Sequence, residues 1–538
     1  MAIPQRAAQF VLGLCRDGLL GAVLVTCGIP AQEASGVLTL EGQAKQAIAT
    51  GDTDAAVEAY LALAAAEPQQ TKWVRGAVEA LARGGRYNDA LDLLEASCKR
   101  LPEALDLRVE QAKVTMLKAE GLAAGGRRDS YVLFAYEDAA RLAGEVLAKD
   151  ADNRDARLIL AEARYAVGNL DDALNEGRDA ARRFPDHPGG HIMVAKVLFQ
   201  RFVASKQRLA GERPEGKAYE ELATAAAEAR RGATAALESA IAADPSRAFP
   251  HKLLGDVHAW NGNVAQALAC YGRALALDPN TPVDHGWLAT NAGPEELTKL
   301  YRHAFEAYHA RPDADPRHGA LLAWYLGKAL FEQKRFADAR TLMLASIRAN
   351  PTYTNSLYYV WLASYWLGDH AAAGREAAAY AQQAPAAFAD LLRSLPDRAQ
   401  TLEILGFLAA NSFAQKRIGE SCALNHVLAL VENSAETWNN YAFLCRETGQ
   451  FEESLAAYER ALEMEPESPQ LLNDTAVILH YHMTSPANRA RAKDMYERAV
   501  QLAQKQLADA GLDATERARI TQALADAQSN LKKMAEGG

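Results

Sequence analysis

Residues 434–468 read SAETWNNYAFLCRETGQFEESLAAYERALEMEPES, and they divide into two short amphipathic helices. Trp438, Tyr441, Ala442 and Cys445 recur at i, i+3, i+4 and i+7, a spacing that gathers them on one helix face. Gly449 marks the turn. Ser454, Tyr458, Ala461 and Leu462 form a second stripe, and Pro466 closes the unit because it lacks the N–H that would continue a helix. A pair this short leaves one face of each helix uncovered and needs neighbours of its own kind.

Those neighbours lie along the chain. A small residue stands twelve positions before a proline at Ala56/Pro68, Ala90/Pro102, Ala173/Pro185, Ala233/Pro245, Ala267/Pro279, Ala339/Pro351, Ala373/Pro385 and Ser454/Pro466. A glycine stands five positions before that small residue at Gly51, Gly85, Gly168, Gly262, Gly368 and Gly449. The steps Ala56 to Ala90, Ala139 to Ala173, Ala233 to Ala267 and Ala339 to Ala373 are each 34 residues. Independent helices have no reason to keep such a register. The order of aromatic, small residue, turn glycine, small residue, aromatic and closing proline resembles the tetratricopeptide repeat (TPR) family, whose period is about 34 residues. The resemblance implies an all-α fold, a right-handed TPR superhelix (α-solenoid) of about twelve helix-turn-helix repeats with a C-terminal capping helix. It also implies a class of activity, the binding of other proteins.

The expected organisation is a leader over 1–35 and an N-terminal array over 36–280, with its third and fifth repeats stretched near Gly125 and Gly211. A degenerate repeat over 281–312 follows, then a C-terminal array over 313–504, and a capping helix and tail over 505–538. The 538 residues carry 58 basic and 68 acidic side chains, a net charge of −10, with no long basic run. Phosphate neutralisation drives most nucleic-acid affinity, so a nucleic-acid partner is not expected. Six scattered cysteines form no CxxC pair, which leaves a zinc or thioredoxin-like site unsupported. Cys98, Cys270 and Cys445 fall where the repeat wants small buried residues. A Cys422–Cys445 disulfide requires that neighbouring repeats bring the two together.

Arg6 and Arg16 precede the apolar run Leu19–Leu20–Gly21–Ala22–Val23–Leu24–Val25–Thr26–Cys27, too short to span a bilayer but as long as a signal-peptide core. Leu24–Val25–Thr26–Cys27 resembles a bacterial lipobox, with Thr26 departing from the usual small residue, and this makes Cys27 the lipidation candidate. Cleavage after Ala31 and an uncleaved helix covering the first repeat are the other readings. The expected location is the periplasm or a lipid-anchored position in a bacterial cell envelope, with a cytoplasmic adaptor or co-chaperone as the alternative.

In the TPR family the first helix of each pair lines a concave groove. Carried onto this chain, the resemblance puts Tyr165, Lys252, Asp256 and Trp260 on that face in the earlier half. Further on come Trp324, Lys328, Phe331, Tyr358, Tyr365 and Trp366, then Asn439, Phe443 and Arg446, then Asn473, Val477 and His480. Groove tyrosines and tryptophans would supply contact area with a polar edge, and inward asparagines such as Asn439, Asn440 and Asn473 would both donate to and accept from a peptide amide. Lys252 sits where a carboxylate clamp would want a lysine, although Asp256 stands where that pattern wants asparagine. His480 and His482 are two apart, a spacing that points side chains away from each other on a helix. No GxSxG, HExxH, Walker or GxGxxG motif is present. The expected function is a non-catalytic protein-binding scaffold, with no cofactor, no metal and no small-molecule substrate. The enzyme alternative is a metal-dependent hydrolase or transferase built around His480.

Overall fold

A computed structural model describes residues 33–126, 129–509 and 511–536. The leader, Cys27 and the insertion residues 127–128 lie outside the described residues. Among those described there are 26 α-helices and one π-helical turn, and no strand. No described helix is long and apolar enough to cross a membrane. Twelve helix pairs follow one another from Glu33–Thr50 with Thr53–Ala66 to Pro469–Val477 with Pro486–Leu507. An extra short helix, Pro385–Ser394, stands between two of the pairs, and Ala514–Glu536 closes the chain. The fold is an α-solenoid of TPR type, as the 34-residue register implied.

The stretch 434–468 shows how sequence makes the unit. Ser434 caps the helix Ala435–Glu447: its hydroxyl accepts from the Thr437 N–H at 3.2 Å, and the Thr437 hydroxyl accepts from the Ser434 N–H at 3.2 Å. Two of the otherwise unpaired N-terminal donors are thereby satisfied. Ala442, Cys445, Tyr458 and Ala461 are fully or almost fully buried between Ala435–Glu447 and Phe451–Met464. Ser454 donates to the Ala442 carbonyl at 2.7 Å, so the small residue of the second helix both permits close approach and bonds across it. Ser346 does the same to the Ala320 carbonyl at 2.8 Å in another pair.

The six turn glycines all adopt positive φ, from +71° at Gly85 to +85° at Gly168, where an added Cβ would cost backbone strain. Two turns reach the same left-handed geometry without glycine, at Lys334 (φ +60°) and Lys416 (φ +62°). Each lies five residues before its small buried residue, Ala339 or Ser421, so the turn survives where its glycine signal is missing.

Lengthening occurs in helices more than in loops. The third pair is Leu105–Ala124 with Ser130–Lys149, and the fifth is Pro188–Glu212 with Gly216–Ala243. Near Gly211, where the fifth repeat was expected to be stretched, the chain is helical through Glu212 and irregular only over 213–215.

The chain forms two compact units, Met1–Ala274 and Leu275–Gly538. In the second, the largest apolar cluster surrounds Trp361, Tyr380, Phe388, Leu405 and Leu424, all fully buried. At its C-terminal end, Leu472, Ala476, Leu479, Tyr496 and Ala499 pack with Ala527 and Met534 of the closing helix. That helix covers the last apolar face, as a solenoid terminus requires.

Candidate functional site

Aromatic residues from several helices of the C-terminal unit form one continuous row of ring contacts. His285, on the short helix His285–Asn291, stacks on Tyr325 at 3.9 Å and 14°. Tyr325 meets Trp324 edge-on at 4.9 Å, and both belong to the helix Pro316–Glu332. Trp324 meets Tyr359 of the next first helix, Asn355–Trp366, at 6.2 Å, and Phe331 meets the same ring at 5.3 Å. Phe331 touches Phe336 at 5.1 Å, Phe336 stacks on Trp366 at 6.1 Å, and Trp366 meets Tyr365 at 5.2 Å. Tyr365 reaches Phe407 of the helix Arg398–Ala414 at 6.2 Å. Such spacings are those of mutually attractive aromatic pairs. The first helices of successive pairs are thus joined ring to ring.

Exposure varies along the row. Trp366 is 44% and Phe407 47% exposed, whereas Trp324, Tyr325, Phe331, Tyr359 and Tyr365 are half-buried. The Lys328 ammonium lies 5.8 Å over the Trp324 ring and 3.8 Å from Glu332. The His285 imidazole is bonded to the Tyr301 hydroxyl at 2.8 Å, and burial pushes its pKa down to about 4. It is therefore neutral at pH 7 and behaves as part of the aromatic row.

Beyond Phe407 the surface becomes a pocket of about 530 Å³ between the helices Arg398–Ala414, Ile418–Glu432 and Ala435–Glu447. Gly406, Ala410, Phe413 and Phe443 line it, and the two phenylalanine rings meet at 6.1 Å. A Cβ added at Gly406 would have nothing within 4 Å, so the small residue keeps that wall low. Asn425, whose amide donates to the Ser421 carbonyl at 2.9 Å, and Asn440 also line it. Because Phe407 and Ala410 are three apart on one helix, the row and the pocket are neighbours on the same face. The Arg446 guanidinium lies 4.9 Å over the Phe443 ring and bonds Glu447 at 3.0 Å.

Trp324, Phe331, Tyr365 and Trp366 stand together in this row, with the Lys328 ammonium over the Trp324 ring. Tyr358 and Asn473, expected in the groove, are enclosed instead. Tyr358 is only 6% exposed, edge-on to Trp361 at 5.5 Å, and burial pushes its phenol up to about 12. Its neighbour Tyr359 takes the place in the row, because one residue turns the helix by about 100°. Asn473 is 5% exposed; it accepts from Asn530 of the closing helix at 3.1 Å and donates to Asp474 at 3.1 Å. It joins the terminal helix to the array. Asn439 is half-buried with its carbonyl oxygen enclosed, and Asn440 is the exposed member of that pair.

Trp260 belongs to the N-terminal unit, 41% exposed at the end of the helix Ala248–Trp260. There the Lys252 ammonium is bonded to Asp256 at 2.7 Å, and Asp256 also accepts from the Tyr271 hydroxyl at 2.9 Å, so the lysine is already engaged within its own helix. Tyr165 lies under the Lys196 ammonium at 4.5 Å. In the C-terminal unit, His480 and His482 sit in the π-helical turn Ile478–His482 and part as their spacing implied. His482 stacks on Phe451 at 4.2 Å, and His480 faces Tyr481 and Tyr496. No cluster of three metal-ligating side chains occurs among the described residues. Sequence reasoning missed Tyr359, Phe407 and Phe413, and also His285, whose partners come from two other helices. Phe407 and Phe413 lie in the stretch 386–433, where the repeat pattern is weakest.

Tetratricopeptide repeat models match residues 42–104, 134–197, 248–281, 301–354 and 435–468. No curated protein matches the chain. Among solved structures it is similar to a thermophilic TPR protein of Thermus thermophilus (17% identity, TM-score 0.25), covering 47% of this chain and 98% of that one. It is also similar to a tetratricopeptide repeat protein from Parabacteroides merdae (12%, TM-score 0.31), covering 61% and 99% of the two chains. A third similarity is to the human IFIT1 dimer with m7Gppp-AAAA (15%, TM-score 0.28), covering 94% and 96%. The scores and identities are low, and they bear on neither site nor partner.

Proposed function

The chain is a tetratricopeptide repeat protein, and from that premise we propose that it is a non-catalytic scaffold holding an extended segment or helix of a partner protein. The surface we assign to the partner is the aromatic row of the C-terminal unit with the pocket that continues it. One observation carries the reading. Rings from three successive first helices form a connected row whose later members, Trp366 and Phe407, remain nearly half exposed. Large exposed aromatics set in a supporting layer of buried ones are the composition of binding hot spots, where few residues supply most of the energy. Asn440 beside the pocket would pair with peptide amides whatever side chains the partner carries, while Asn425, its N–H on the Ser421 carbonyl at 2.9 Å, would offer its oxygen.

The test is capture of the partner by crosslinking in the native source, followed by titration of that purified partner. Trp366→Ala with Phe407→Ala is expected to weaken binding by at least about tenfold, corresponding to roughly 1.4 kcal/mol, with helicity unchanged. Undiminished binding by the double variant would move the site elsewhere. Trp260→Ala in the other unit is the matched control, an equally exposed tryptophan outside the row.

The location we propose is the bacterial cell envelope, supported by the apolar run ending at Leu24–Val25–Thr26–Cys27. Intact mass of the protein from its native host is expected to show a chain beginning at Cys27 and carrying lipid. A chain beginning at Met1 or Ala2 would return the scaffold to the cytoplasm.

A further inference from the structure

Two thiols of the C-terminal unit stand in contact across a repeat boundary. Cys422 lies on Ile418–Glu432 and Cys445 on Ala435–Glu447, and their sulfurs are 3.7 Å apart. Both are buried, Cys445 completely and Cys422 to within 4%. A disulfide places its sulfurs about 2.05 Å apart, so the pair must close by roughly 1.7 Å, within reach of small rotations about the two Cα–Cβ bonds. The other described cysteines, Cys98 and Cys270, belong to the N-terminal unit.

The two sulfurs are also chemically unequal. The hydrogen bond shared between the two thiols holds Cys422 below its ordinary range, with Thr448 adding a second bond against the opposing effects of burial and of Glu453. Cys445 is raised, first by its bond to Cys422 and then by burial, with Tyr441 bonded to it on the other side. The two thiols titrate as a pair, with Cys422 the one held lower.

We propose that Cys422 and Cys445 form a redox-active pair that a hydroperoxide converts to an intramolecular disulfide. A hydroperoxide is the fitting class of oxidant because a buried pair admits a small molecule more readily than a bulky disulfide. The Cys422 thiolate attacks one oxygen of the O–O bond, becomes a sulfenic acid and releases the other oxygen as hydroxide, which takes up the proton the thiol gave away. The Cys445 sulfur then bonds to the Cys422 sulfur, and the sulfenic hydroxyl leaves as water with the Cys445 proton. Two electrons pass from the sulfurs to the peroxide, and with hydrogen peroxide the products are one disulfide and two waters. The bond joins the helices that carry Asn425 and Asn440, fixing two walls of the pocket to each other.

The test treats the folded full chain with hydrogen peroxide, blocks remaining thiols under denaturing conditions and maps the peptides by mass. The expected result is a product about 2 Da lighter before blocking, with the Cys422 and Cys445 peptides joined and a reductant restoring both thiols. Cys445→Ser is expected to stop the reaction at a Cys422 sulfenic acid that a dimedone reagent labels, with circular dichroism checking that the variant is folded. The wild-type measurement decides alone if it is not. Full alkylation of both cysteines after peroxide would overturn the proposal. So would sulfinic acid without a cross-link, or a cross-link to another cysteine.

Discussion

Replacing Trp361 with alanine is expected to destabilise the C-terminal unit by about 3–5 kcal/mol, whereas Trp366→Ala should cost about 1 kcal/mol or less. The two tryptophans are five residues apart on one helix, so their side chains leave it about 140° apart. Trp361 is fully buried, with Tyr358 at 5.5 Å and Phe388 at 6.1 Å, in a cluster built from several helices. Truncating it removes the largest side chain of that core and leaves a cavity that close-packed helices fill only in part. Trp366 is 44% exposed and meets Phe336 and its helix neighbour Tyr365, so its loss removes far less buried surface. Trp361→Phe should recover part of the loss. It restores a ring and deletes an indole N–H that is buried with no hydrogen-bond partner among the described residues. Guanidinium unfolding followed by far-ultraviolet circular dichroism measures all three variants. Equal losses at 361 and 366 would mean that the exposed end of the row is core, and the binding surface proposed there would be withdrawn.

Gly190→Ala is expected to destabilise the N-terminal unit by about 3 kcal/mol, the upper end of overpacking costs. A Cβ at this position would stand 2.4 Å from the Ala181 nitrogen and 2.8 Å from the Ala180 carbonyl carbon. Those atoms are backbone and have no rotamer to relieve the clash, so Pro188–Glu212 must withdraw from Leu170–Arg183. Gly177 faces Met193 across the same crossing, where an added Cβ would be 2.9 Å from the methionine side chain. That contact is softer, because methionine can move. The control is Gly211→Ala in the same helix, where nothing lies within 4 Å of an added Cβ. It should be neutral or gain up to about 1 kcal/mol from helix propensity. Hydrogen exchange across residues 170–212 would localise the difference, and a Gly190→Ala variant as stable as the parent would show that the crossing is looser than described.

The helix pairs, their turns and their order were legible in the sequence because each depends on residues close together along the chain. A stripe at i, i+3, i+4 and i+7, a glycine at positive φ and a proline after the second helix act within one unit, and the 34-residue step repeats the same local solution. Where the local signal was absent the structure still closed the turn, at Lys334 and Lys416, since the helices packed on either side hold those residues left-handed. The aromatic density of the helices from Pro316 to Trp366 was equally plain, and it led to Trp324, Tyr365 and Trp366.

What only the tertiary structure decided is which side of each helix is left uncovered. One residue turns a helix by about 100°, so a stripe with apolar residues on most sides, as in NSLYYVWLASYW, does not declare its exposed edge. Packing against the next helices buried Tyr358 and Trp361 and left Tyr359 and Trp366 in the row. Asn473 was enclosed by a helix whose contacting residue, Asn530, is 57 positions away, and Cys422 met Cys445 across 23. Period and turn are set by neighbours in sequence, but surface and contact are set by whichever distant helix arrives to cover a face.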